Sequence, residues 1–488
     1  MFTTQNPVPA QLAHLPYFCK NNQTNKMNKS ILLALLLLSS FHLSIAQDVS
    51  IESVIEDIRA LIQAGKLAEA ENLTNRYIVD DPVNIDLLMM KGNVVLNKYI
   101  VEEQAQLSLR PNYEEDIYKL GQLEKGPNPV TVNHATAEKV TRLWKAAATL
   151  DPSREDLFLG VCQVYAISGK KEELIAYLPV AKEKAAGVDE LHFRLARYAQ
   201  NLKERGDFDG AMEVYQKVAD LFPEYPGLLS DMAGEYFYAG QFDKAKASIH
   251  RSLAAPAVDE PTLGNAFFLS ALMGDYDTAL EAIRRLPGDG HLLYEGVLNF
   301  YRNEKKWEKP IEKFLAENPD SSDARAAQVL VDKYFKMDMD HYLGIIENDL
   351  GDPIKILIHE KFRETNQFLP AFNAGETYCY NQRYDAAVAV FSEIEQRNYD
   401  LDTDDREQYL FYYAWSLHQN GQKEESVKKW EALLTSTDFY KKSAAHWFIG
   451  KFFFDKGEKA RGREYFAKMA SDPSASKYAT MCWNYMGE

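Results

Sequence analysis

The stretch GDYDTALEAI at residues 274–283 has two close relatives earlier in the chain, GDFDGAMEVY from Gly206 and GQFDKAKASI from Gly240. The three stretches begin 34 residues apart. A fixed period of this length is typical of stacked helical units. Two acids beside a glycine would also suit an active-site loop, but the copy at Gly240 has Gln241 in place of the first acid. The repetition therefore favours a structural joint.

Each copy has the residue types that end one helix and begin another. Glycine enters the left-handed conformation that closes a helix, and the aspartate that follows, such as Asp275, caps the next one. Tyr276 is expected to wedge between the paired helices, and Ala279 to let them approach closely. Second helices are expected to end just before Pro223, Pro287 and Pro319. A turn of about three or four residues makes the two helices antiparallel neighbours.

Looser copies of the joint extend the pattern over most of the chain. They lie around Gly65, Gly169, Glu304, Asn381, Gly421 and Gly457. A single helix pair of this size cannot bury its apolar face, whereas stacked pairs can. The sequence therefore predicts an all-α fold.

The pattern of small, large and turn residues resembles the tetratricopeptide repeat family. One copy matches the family at Leu195, Tyr198, Ala199, Leu202, Phe208, Ala211, Tyr215 and Pro223, and a second at Ala371, Ala374, Gly375, Tyr378, Tyr384, Ala387 and Phe391. The N-terminal copy contributes Val54, Ile58, Ile62, Ala70 and Pro82. The family's first-position tryptophan is generally missing, and Pro310 occupies a second-helix alanine position. The resemblance implies a right-handed superhelical α-solenoid of antiparallel helix pairs.

Composition shifts divide the chain into segments. We expect an over-called upstream segment at 1–26, a leader at 27–46, N-terminal repeat-like helices at 48–98 and an irregular connector at 99–135. A repeat array is expected at 136–336, a second irregular connector at 337–367, and a C-terminal array at 368–488 with a capping helix at 474–486. The connectors are predicted from glycine and proline residues that break helical patterns, as in the segment GQLEKGPNPV.

Residues 27–46 have the three parts of a secretory signal peptide. Lys29 gives a positive start, residues 31–38 form an unbroken apolar run, and Ser44-x-Ala46 is a small-residue cleavage signal. Cleavage is expected before Gln47, with Met27 as the true start. No cysteine follows to accept a lipid, and the Ala-Gln ending resembles that of exported proteins of the Bacteroidetes. The sequence thus predicts a periplasmic or extracellular protein with no stable membrane span after cleavage.

Net charge narrows the range of partners. The 488 residues carry a formal charge of −17, which repels phosphate backbones and argues against general nucleic-acid binding. The chain gains nothing from an anionic membrane surface for the same reason. With 46% apolar and 12% aromatic residues, it is able to bury a large core.

No arrangement of residues predicts catalysis, a metal or a cofactor. The chain has no HExxH, GxSxG, P-loop or GxGxxG motif, and its ten histidines are dispersed. His359 and Glu360 are adjacent, but successive helical residues point in different directions. Asp402, Asp404 and Asp405 alternate like calcium ligands, although the remainder of such a loop is absent. A helix start explains these acids better.

The resemblance also implies a binding surface. In this family the first helix of each pair lines a concave groove that holds a peptide or an extended partner segment. The family positions that face this groove fall on Phe237, Tyr238, Phe268, Asn299, Arg302, Tyr380, Trp415 and His418. Aromatic residues and arginine are frequent interface anchors, although aromatic residues at helical spacing also pack between repeats.

Three functions remain open from the sequence. The first is a non-enzymatic exported scaffold that binds a protein or peptide. The alternative is a glycan-binding or nutrient-uptake protein of the cell envelope, because the aromatic side chains could stack on sugars. An enzyme built on a helical toroid comes third, since it would need a pair of inward-facing acids that a single sequence cannot locate.

Overall fold

The computed structural model describes residues 50–107, 132–348 and 350–470, and within these ranges all regular structure is helical. The prediction of an all-α helical-repeat fold is confirmed. The chain divides into a short unit that ends at Val54 and a unit of residues 55–488.

The described residues form 23 α-helices. The first eight are α1 (Ile51–Gln63), α2 (Leu67–Asp80), α3 (Ile85–Leu107), α4 (His134–Leu150), α5 (Glu155–Ser168), α6 (Lys171–Lys184), α7 (Leu191–Glu204) and α8 (Phe208–Leu221). The next eight are α9 (Gly227–Tyr238), α10 (Phe242–Leu253), α11 (Glu260–Leu272), α12 (Tyr276–Arg284), α13 (Gly290–Tyr301), α14 (Glu308–Glu317), α15 (Ala324–Leu330) and α16 (Met339–Ile346). The last seven are α17 (Asp352–Phe362), α18 (Phe368–Tyr380), α19 (Tyr384–Arg397), α20 (Thr403–Gln419), α21 (Lys423–Ala432), α22 (Phe439–Asp455) and α23 (Lys459–Ala470).

Helices that follow one another along the chain pack as pairs. The pairs include α7 with α8, α9 with α10, α11 with α12, α18 with α19, α20 with α21 and α22 with α23. The first helix of a pair also packs on the first helix of the next, as α9 does on α11 and α18 does on α20. Each helix therefore buries its apolar side against the other helix of its pair and against the neighbouring pair.

The joint at Gly274 has the predicted structure. Gly274 has a φ of +72° and Asp275 accepts a hydrogen bond from the backbone N–H of Thr278, so that one helix ends and the next is capped. Ala279 is fully buried. The Tyr276 ring lies 5.5 Å from the ring of Tyr301 in α13, so it packs toward the following pair.

Two substitutions at this joint are expected to differ in their effect on stability. Asp275→Asn should cost at most about 1 kcal/mol, because asparagine also caps helices. Gly274→Val should cost more, because a β-branched residue resists a positive φ. The free energies of unfolding of the two variants, measured in urea, test this order. A larger loss for Asp275→Asn than for Gly274→Val would contradict the structural interpretation of the joint.

The segment 337–367, expected to be an irregular connector, instead contains two helices. These are α16 and α17, followed by a short 3-10 turn at Arg363–Thr365. Asp338 caps α16, and Pro353 lies in the first turn of α17, where proline is tolerated. The glycine and proline that suggested a break therefore mark the start of a helix.

The expected first connector, 99–135, begins with helix as well, because α3 continues to Leu107. Residues 108–131 of this connector lie outside the described residues, as do the upstream segment 1–26, the leader 27–46 and the capping helix 474–486. At the other end of the connector, Asn133 caps α4.

Candidate functional site

The side of the first helices that could face a partner is defined by their contact with the second helices. In α13 and α18 the residue that faces the second helix of the pair is a glycine. A Cβ added at Gly296 would lie 2.3 Å from Ile311, and one added at Gly375 would lie 2.6 Å from Phe391, so neither position has room for a larger side chain. The residues one, four and five places after this small residue lie on the adjacent side of the helix, which we call the inner face.

Most of the inner face of α9 and α11 is not accessible. Phe237 is 2% exposed and packs beside Phe242, with the ring centroids 5.7 Å apart. Phe268 is partly buried against the same cluster, which also includes Ile356 from α17. Of the predicted groove residues here, only Tyr238 is largely exposed, at 45%. Phe237 is therefore a core residue rather than part of an open groove.

Asn299 and Arg302 do not lie on the inner face of α13. The left-handed residue that ends this helix is Asn303, with a φ of +58°, and the Asn299 carbonyl accepts a bond from Glu304 within the turn. The Arg302 guanidinium pairs with Asp277 at 2.9 Å. The inner-face positions of α13 are instead Val297, Phe300 and Tyr301. The prediction placed both residues wrongly, because an asparagine occupies the position where other copies have glycine.

The inner face of α13 is covered by α17 of the same chain. Leu357, Ile358 and Phe362 of α17 are fully buried in one cluster with Val297 and Phe300. A polar contact joins the end of α17 to the end of α13, because the Lys361 ammonium donates to Asn303 at 2.6 Å. Nearby in the chain, Arg383 before α19 donates to the carbonyl of Leu272 at the end of α11. The Arg383 guanidinium also lies 4.4 Å from the centre of the Phe242 ring.

His359 on α17 takes part in a buried hydrogen-bond network. Asn373 donates to the hydroxyl of Tyr342, which lies 2.9 Å from Nδ1 of His359. Burial and the nearby Lys355 lower the pKa of His359 to about 3. The imidazole is therefore neutral at physiological pH and accepts a hydrogen bond from the Tyr342 hydroxyl, which fits a structural role.

An aromatic surface with one largely exposed ring, Tyr380, and one buried ring, Tyr412, lies where α18 packs on α20. Tyr380 is 62% exposed, and its hydroxyl lies 2.6 Å from that of Tyr412. Trp415 is half-buried, with its ring 5.8 Å from Tyr384 and 6.2 Å from Tyr412. Tyr380 and Trp415 thus each lie beside the ring of Tyr412. We call Glu376, Tyr380, Tyr412 and Trp415 the aromatic surface.

Glu376 supplies the charge of this surface. Its side chain is half-buried and interacts with the Tyr412 hydroxyl. Burial raises the pKa of Glu376 above its usual value, in spite of the hydroxyl contact. Sequence reasoning missed Glu376, although it is one residue after Gly375, the small residue that faces the second helix.

His418, the last of the predicted groove residues, lies deeper between helices. It is half-buried, and its ring lies 4.9 Å from that of Phe448 on α22. His418 therefore contributes to the packing of α20 on α22 and stands apart from the exposed ring of Tyr380.

A second acidic position, also missed from the sequence, lies on α9. Burial raises the pKa of Asp231 to about 7, and the charges of Glu235 and Asp259 act in the same direction. Glu235 itself accepts a hydrogen bond from Lys203 on α7. Asp231 has no such partner among the described residues, so its carboxyl group is protonated over part of the physiological pH range.

The two described cysteines and the acids at the start of α20 lie in structural environments. Cys162 and Cys379 are buried and free, and burial raises the pKa of Cys162 to about 12. Asp402 caps α20 by accepting a bond from Asp405, as expected for an acid cluster at a helix start. No group of three histidine, cysteine or acidic residues is placed to hold a metal ion in the part of the chain that the structure describes.

Within residues 50–107, 132–348 and 350–470, no helix is both long and apolar enough to cross a bilayer.

Residues 202–262 match the family model described as tetratricopeptide repeat. This match spans α8, α9 and α10 and the joints at Gly206 and Gly240. A search of curated proteins found no match.

Several solved structures are similar at low identity. PilF of Pseudomonas aeruginosa is 13% identical with a TM-score of 0.25, and the alignment covers 55% of this chain and 96% of that one. A tetratricopeptide repeat protein from Parabacteroides merdae is 16% identical with a TM-score of 0.23, covering 61% and 99%. The P58(IPK) TPR domain is 13% identical with a TM-score of 0.21, covering 85% and 100%. Similarity at this level carries no information on partners or activity.

Tetratricopeptide repeats typically mediate interactions between proteins. The matched segment has the turn glycines, small contact residues and antiparallel pairs that carried the resemblance in the sequence. This is an all-α helical-repeat protein whose residues 202–262 match the tetratricopeptide repeat model.

Proposed function

We propose that this protein is a non-enzymatic scaffold that binds a protein or an extended peptide through the aromatic surface on α18 and α20. The observation that carries the proposal is the side chain of Tyr380, which is 62% exposed and packs on Tyr412, the residue that also contacts Trp415. Aromatic side chains of this kind are common anchors in interfaces. The net charge of −17 argues against a nucleic-acid partner.

The central helices are less suitable for a partner. Helix α17 already packs on the inner face of α13 and contacts α11. A partner segment would have to displace buried side chains such as Ile358 and Phe362 to reach that face. The proposal therefore places binding on the C-terminal pairs.

Partner capture from cells tests this proposal. The wild-type chain should crosslink to a specific protein in the native cell envelope, and Tyr380→Ala should reduce its recovery. Tyr334→Ala is the matched control, because Tyr334 is 68% exposed but lies in the turn between α15 and α16. The proposal fails if no protein is captured while the purified chain turns over a substrate.

The proposal includes export to the periplasm or the cell exterior, on the basis of the signal-peptide pattern at residues 27–46. Mass spectrometry of the native protein should find a mature N-terminus at Gln47. Detection of peptides from residues 1–26 in that sample would show that Met27 is not the start.

Glycan binding is the second candidate, because exposed aromatic rings also stack on sugars. A glycan array separates the two proposals. Strong binding to a sugar that is lost in Trp415→Ala, together with no captured protein, would favour the glycan-binding function.

A further inference from the structure

The aromatic surface carries one acid, Glu376, that no basic side chain in residues 50–107, 132–348 and 350–470 neutralises. The neighbour that acts on the Glu376 carboxyl group is the Tyr412 hydroxyl, which is neutral. Within the described ranges, Glu376 forms no ion pair with lysine or arginine. A partly buried acid without a cation is an energetically unfavourable arrangement that a cationic group would relieve.

The basic side chains nearest in sequence are engaged elsewhere. Arg383 pairs with Asp385 at 2.9 Å and packs on the Phe242 ring. Arg363 pairs with Glu360 and with Glu393. Neither pairs with Glu376, so among the described residues its carboxyl group stays available to a cation from another molecule.

The rings beside Glu376 add a second attraction for a cation. The aromatic faces of tyrosine and tryptophan attract ammonium and guanidinium groups that come within about 6 Å. In the part of the chain that the structure describes, no lysine or arginine lies over Tyr380, Tyr412 or Trp415. A carboxylate partner would instead be repelled by Glu376, which argues against capture of a peptide C-terminus here.

We propose that the aromatic surface recognises a lysine or arginine side chain of an extended partner segment, with Glu376 as its counter-ion and Tyr380 and Trp415 as its aromatic walls. This inference rests on the proposed function, because it names the chemistry of the partner. The strongly negative charge of the whole chain favours the approach of a basic segment.

An array of random twelve-residue peptides tests the inference, with the purified full chain as the bound protein. Peptides retained by the wild type should be enriched in arginine and lysine. The enrichment should disappear in Glu376→Gln, and the Kd of resynthesised basic peptides should rise about tenfold. Glu431→Gln removes the same charge from an exposed position on α21. This control should leave the enrichment in basic residues and the Kd of the basic peptides unchanged.

The outcomes separate the inference from the function on which it rests. Peptide binding without an excess of basic residues, or with the same excess in Glu376→Gln, would overturn the inference and leave the scaffold function in place. Loss of all peptide binding in a folded Glu376→Gln chain would assign Glu376 a structural role and also overturn it. A folded wild-type chain that retains no peptide would overturn both proposals.

Discussion

Phe362→Ala should lower the free energy of unfolding by about 3–5 kcal/mol, the range found when a buried phenylalanine is truncated. Phe362 is 0% exposed at the end of α17. Its ring lies 5.1 Å from Tyr342 and 6.4 Å from both Phe300 and Phe335. Truncation removes these contacts and leaves a cavity between α13, α16 and α17.

Urea unfolding followed by circular dichroism measures this loss. Tyr334→Ala is the control, because Tyr334 is exposed and its truncation should change stability by no more than about 0.5 kcal/mol. A cost for Phe362→Ala as small as that of the control would mean that α17 does not pack on α13 in solution.

Asp231→Asn should stabilise the protein at neutral pH, on the order of 2–4 kcal/mol. Burial, with help from Glu235 and Asp259, raises the pKa of Asp231 to about 7, well above the usual value for an aspartate. The unfolded chain therefore releases this proton near pH 4, whereas the folded chain retains it until about pH 7. Stability of the wild type falls as pH rises through this window, because the unfolded state binds fewer protons.

Asparagine has no proton to release, so the variant lacks this part of the pH dependence. The difference in unfolding free energy between Asp231→Asn and the wild type should grow from pH 4 to pH 7 and then stay constant. Asp209→Asn, an exposed position on α8, should follow the wild-type profile. Parallel profiles for Asp231→Asn and the wild type would contradict the raised pKa.

The joints of the repeat could be predicted because each depends on a local requirement. A positive φ favours glycine, so Gly206, Gly240 and Gly274 mark the helix ends directly. The same position at Asn303 and Gln382 also has a positive φ without glycine. There the local signal is weak, and the sequence predicts the helix end with an error of a residue or more.

Helix α17 was not predicted because its pattern does not alternate between apolar and polar sides. Ile354, Ile356, Leu357, Ile358 and Phe362 place apolar residues around much of the helix, which is typical of an element buried on several sides. Its contact with α13 depends on residues about 60 positions away, such as Asn303 with Lys361. A search for local repeats does not detect such a contact.

Only part of the candidate site could be predicted. Tyr380 and Trp415 follow from the register set by the joints at 382 and 421, since helical spacing places them on one side. The pKa of Glu376 and that of Asp231 depend on burial and on which charges lie nearby. Both are properties of the packed chain, so the sequence offers no local signal for them.

The packing of α17 changes how the helical array unfolds and refolds. In a linear stack each pair contacts only its neighbours, so pairs can unfold one after another from an end. Here the bond from Arg383 to Leu272 joins residues 111 positions apart, and that from Lys361 to Asn303 joins residues 58 apart. Because of these long-range links we expect α11 to α18 to unfold as one cooperative unit, and we expect loop closure to slow the formation of this unit.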